Sequence, residues 1–175
     1  MKMFKKLMAV ALAGVMALVV LTGCASNAVS TKEIMANITD SNPVSILGKS
    51  VTLKSAAEDD AVKVMQILQA YKAEHKDAEK REVIASCLPK IMEALGIKEN
   101  EYVGISATKI ETYQSKTLKE MQNAQIADKL TNPRALRALQ NGNFEDGAEG
   151  TISMKIDKLG DDTYIIAVIR VPAAE

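Results

Sequence analysis

The chain has 175 residues, with 22 Lys+Arg against 22 Asp+Glu, 47% hydrophobic residues and 3% aromatics. That composition fits one ordinary globular domain and excludes a collagenous or wholly disordered chain. Lys2, Lys5 and Lys6 crowd the first six residues; without them 19 basic side chains face 22 acidic ones, a net of −3, so there is no basic surface for nucleic acid.

Met1–Lys6 (MKMFKK) is basic, and Leu7–Leu21 (LMAVALAGVMALVVL) is a charge-free run of 15 residues, which is the charged-then-apolar layout of a secretory signal. A helix crossing the ~30 Å hydrocarbon core needs about 20 apolar residues, so the run is short for a span. It ends at Leu21-Thr22-Gly23-Cys24 without a basic flank to halt transfer. This junction resembles the lipobox of bacterial lipoproteins: an aliphatic residue, two small residues and a cysteine at the lipoprotein signal peptidase site. The resemblance covers residues 1–24 only.

It implies a diacylglyceryl thioether on Cys24 and cleavage between Gly23 and Cys24, leaving the modified cysteine at the mature N-terminus. Two acyl chains hold a protein on a membrane where one holds it only marginally, at ~0.8 kcal/mol per buried CH₂. The expected location is therefore the extracytoplasmic face of a cell membrane, or an outer membrane in a cell that has two. Residues 1–23 read as the signal, 24–43 as lipidated N-terminus and tether, and 44–175 as one domain. The tether, small and polar, spans roughly 20–25 Å as a flexible chain. Within it Thr31–Ile38 has the makings of two helical turns capped by Ser30.

Val44–Lys54 reads as a strand or short hairpin bending at Gly48-Lys49. Ser55 and Glu58 have capping-box spacing, which predicts a helix running to about Lys72 that buries Val62, Met65 and Leu68, with Ile67 and Tyr71 beside them. A second helix, from near Asp77, carries Val83, Ile84, Cys87, Leu88, Ile91, Met92 and Leu95 as an apolar stripe, interrupted by Pro89 and stopped by Gly96. Glu101–Thr112 reads as a strand. Ser115–Leu130 reads as a helix with Leu118, Met121, Ile126 and Leu130 apolar, and Asn132-Pro133 as the start of a short helix closing at Asn141-Gly142.

At the C-terminus Ile152, Met154 and Ile156 alternate with polar residues, a turn follows at Lys158–Asp162, and Thr163–Val171 is apolar on both sides. Such a strand belongs in the interior of a sheet covered on both faces. The expected fold is α+β: a small antiparallel sheet, made of the C-terminal hairpin plus one or two further strands, packed against three to four helices.

The chemistry-bearing residues are sparse. The one histidine, His75, lies in a polar stretch, Lys72–Asp77, that reads as an exposed loop, and it leaves nucleophile–base catalysis and multi-ligand zinc sites without their parts. With Cys24 lipidated, Cys87 has no disulfide partner, and its place between Ile84 and Leu88 makes it a small buried hydrophobe. Asn141–Gly147 resembles a calcium loop only loosely: counted from Asn141, glycine falls at the seventh position and Ile152 at the twelfth, so a solvated turn is expected. Asp157, Asp161 and Asp162 read as turn residues. Arg134 and Arg137 read as one solvated helix face. No cofactor, metal or catalytic residue is nominated. The function expected is binding or structural, in the cell envelope, with its ligand open; the alternatives are a carboxylate hydrolase or an accessory solute-binding lipoprotein.

Overall fold

A computed structural model of the chain describes residues 29–39, 43–57, 59–110, 116–132 and 136–174. Four helices, α1 (Thr31–Thr39), α2 (Asp60–Glu74), α3 (Lys80–Leu95) and α4 (Lys116–Thr131), pack on one six-stranded sheet. Its strands are β1 (Val44–Ile46), β2 (Lys49–Ser55), β3 (Tyr102–Ile110), β4 (Arg137–Gln140), β5 (Ala148–Leu159) and β6 (Asp162–Val171), in the order β1-β2-β5-β6-β3-β4. All neighbours are antiparallel except β2 and β5, which run parallel. The α+β class and the C-terminal hairpin are as expected; the sheet is larger than expected.

β6 explains the architecture. Ile165, Ala167, Ile169 and Val171 point into one core with Ile34 and Ile38 of α1 and Ile126 and Leu130 of α4. Ile166 and Val168 point into a second core with Val64, Met65 and Leu68 of α2 and Val83, Cys87, Ile91 and Leu95 of α3. Because successive side chains alternate across a strand, a doubly apolar strand demands cover on both faces, and two helices supply it on each side.

Several local expectations change. Ser55 does not cap a helix: its backbone stays in the ladder opposite Ile152, and α2 begins five residues later with Asp59 at its N-cap, making no side-chain cap bond. The parallel ladder with β5 outcompetes the capping signal. Glu58, the other half of that box, lies outside the described residues. The buried face of α2 is Ala61, Val64, Met65 and Leu68, and Val62 is half-buried. α3 runs through Pro89 without breaking; Ala85, whose carbonyl loses its intrahelical donor, is exposed to water, as is Pro89.

On α4, steps of three and four back from Leu130 reach Ala127, Ile126, Asn123 and Gln122, all buried, and miss Met121, which is 54% exposed. The helix expected after Asn132 is instead β4, pairing with β3 across a bulge at Val103/Gly104. α1, in the stretch read as tether, joins the core with Ile34 at 0% exposure. No helix among the described residues is long and apolar enough to cross a membrane.

Candidate functional site

A recess of about 970 Å³ opens between the turn joining α2 to α3 and the turn joining β5 to β6. Its charged rim carries both signs: Lys72, Lys76 and Lys80 opposite Asp161 and Asp162, with Tyr164 on the wall. Most of these groups are already engaged. The Lys72 ammonium donates to the carbonyls of Lys76 and, at 2.8 Å, Ala78, closing the α2–α3 turn onto its own helix. Lys80 sits 5.9 Å from the Tyr164 ring centre and donates to the Ala107 carbonyl at 3.3 Å. Asp162 pairs with Lys109 at 2.7 Å.

His75 closes α2, its backbone N–H donating to the Tyr71 carbonyl and its ring stacked on Tyr71 at 4.1 Å. It is exposed, as expected. A smaller recess of about 700 Å³ between α1, β1 and α4 is lined by amides and hydroxyls, among them Asn37, Ser45, Gln125 and Thr131. Beside it α1 and α4 share a polar seam: the Asn123 amide donates to Glu33 at 2.6 Å, while its Oδ1 is buried without a partner among the described residues.

The strongest electrostatic feature is buried. Arg170, on the α2–α3 side of β6, donates through Nε to Asp60 at 2.7 Å, through Nη1 to Glu101 at 2.8 Å and through Nη2 to the Leu95 carbonyl. Glu101 also accepts the Lys98 N–H at 2.7 Å, and Asp60 pairs with Lys63 at 3.2 Å. Burial alone lowers the guanidinium's affinity for its proton, but hydrogen bonds and charge from Asp60 and Glu101 outweigh that and raise its pKa above the usual arginine value. The clasp joins the first residue of α2, the end of α3, the approach to β3 and the end of β6. Each of the three guanidinium nitrogens donates to a group of the fold, which makes it a structural fastening.

Among the other residues singled out by sequence, Gly23 and Cys24 lie outside the described residues, as does Arg134. Arg137 opens β4 as an exposed strand residue, so the expected pair on one helix face does not form. Cys87 is 2% exposed, with its sulfur 3.9 Å from the Ile67 carbonyl; burial raises the thiol pKa, opposed more weakly by Lys90. The acidic loop at 141–147 is a fold element: Lys49 donates to the Phe144 carbonyl and to Asn143, and Asp146 accepts the Ser50 N–H at 2.7 Å. Asp157 accepts the Lys158 N–H. No group of three or more metal-ligating side chains occurs among the described residues.

No protein-family model, curated protein or solved structure matches the chain.

Proposed function

We propose that the protein is a lipid-anchored extracytoplasmic lipoprotein whose domain binds a partner or serves a structural role in the cell envelope. The observation that carries this reading is the order of a basic head, a 15-residue apolar run and Leu21-Thr22-Gly23-Cys24, set directly ahead of a folded domain. Because α1 is part of the core, only residues 25–30 separate the lipidated cysteine from the domain, a reach of at most about 20 Å. The domain then works close to the bilayer surface. The recess between the α2–α3 and β5–β6 turns, with its mixed-charge rim, supports binding over catalysis.

The test is Cys24→Ala in the native host. The variant should remain an uncleaved precursor that takes up no fatty-acid label; its normal processing and labelling would overturn the proposal.

A further inference from the structure

We infer that Asn141–Gly142 is a site of succinimide chemistry, at which Asn141 is converted spontaneously to aspartate and isoaspartate. The Gly142 backbone nitrogen attacks the Asn141 side-chain carbonyl carbon. A C–N bond forms, the amide nitrogen leaves as ammonia with the proton given up by Gly142, and a five-membered imide results. Water then opens the imide at either carbonyl, leaving aspartate or a main chain lengthened through the side chain.

Three observations place the reaction here. Asn141 is exposed and lies outside any helix or strand, directly after the four-residue edge strand β4. Neither the Asn141 amide nor the Gly142 N–H makes a hydrogen bond among the described residues, so electrophile and nucleophile are both unengaged. The glycine, which offers attack its least hindered nitrogen, is also demanded by packing: a Cβ at 142 would lie 2.2 Å from the Glu101 carbonyl carbon and 2.4 Å from the Tyr102 nitrogen. The fold therefore builds in the reactive pair.

The loop contains its own comparison. Asp146–Gly147 reaches the same imide by loss of water, an intrinsically slower step from an ionised carboxylate, and there the carboxylate also accepts the Ser50 N–H at 2.7 Å while the Gly147 N–H donates to the Ser50 carbonyl at 2.8 Å. Both reacting groups are held there. Asn143 is tied to Lys49 and precedes the bulky, buried Phe144.

The consequence is structural. Each event adds a negative charge, and the isoaspartyl product inserts a backbone carbon where Gly142 touches residues 100–102. Glu101, in that stretch, holds Arg170. Hydrogen exchange of β4 should rise in the modified chain.

The experiment incubates folded, purified full-length protein in mildly alkaline ¹⁸O-water and maps peptides by mass spectrometry. Aspartate and isoaspartate carrying one water-derived oxygen should accumulate at 141 ahead of every other position, and the preference for 141 over 146 should narrow in urea. Asn141→Gln, whose imide ring is larger and slower to close, should lose the acidic form. An intact Asn141 beside a changed Asn143 or Asp146, an unchanged preference in urea, or an acidic form that persists in Asn141→Gln would overturn the proposal.

Discussion

At Leu47 the backbone takes φ of 52°, followed by Gly48 at 79°, so the β1–β2 turn has both central residues in the left-handed region. A two-residue hairpin turn of this hand favours Asn-Gly, because a branched apolar side chain meets its own carbonyl there and Asn tolerates the conformation. Leu47 is also 55% exposed and gains little from packing. Leu47→Asn should therefore stabilise the domain by about 1 kcal/mol, read as a higher urea midpoint with unchanged slope. Arg170 is the opposite case. Its removal leaves Glu101 without the Arg170 charge and Asp60 with only the more exposed Lys63, and Arg170→Ala should cost about 3–5 kcal/mol in the same titration. A loss below about 1 kcal/mol would show that the clasp is a solvated surface pair.

Among the elements, α1 decides where the domain begins. If it were tether, its side chains would be dispensable; as core, Ile34→Ala should cost about 2–5 kcal/mol. Equilibrium unfolding separates the two outcomes. The elements with a local signal were readable from sequence: the β5–β6 hairpin from alternation, α3 from its stripe and Gly96, and β3 within Glu101–Thr112. Those that departed did so where distant partners overrode local preference. Ser55 stayed in β2 because Ile152, far along the chain, holds it in a ladder, and residues 137–140 became a strand because β3 offers an edge. The Arg170 clasp left one trace, the single charge within Thr163–Val171. Its acceptors, Asp60 and Glu101, lie 110 and 69 residues away, a pairing no local pattern carries. The recess was unreadable for the same reason, being formed by two turns that meet only in the fold. Cys87 was legible because its neighbours on one helix face are all apolar.

The described residues form a sheet with a separate core on each face, and each core buries a group whose pKa is raised. Cys87 in the α2–α3 core has its pKa raised above 9.0 by burial, with Lys90 opposing, and Tyr102 in the other core is raised above 10.0 by burial. Each keeps its proton to higher pH folded than unfolded, so its contribution is complete below the unfolded value and is lost as pH climbs through the folded one. Stability should hold up to pH 9.0 and fall above it, and Cys87→Ala should delay the fall toward the tyrosine range. Urea midpoints across alkaline pH read this directly; a midpoint that rises with pH would contradict it.

The proposed lipidation site lies ahead of this fold, in Leu21-Thr22-Gly23-Cys24. Mass spectrometry of the N-terminal peptide of protein purified from native membranes tests it most directly. The peptide should begin at Cys24 and carry a diacylglyceryl group on its sulfur. A peptide that starts at Met1, or one with a bare thiol at residue 24, would contradict it.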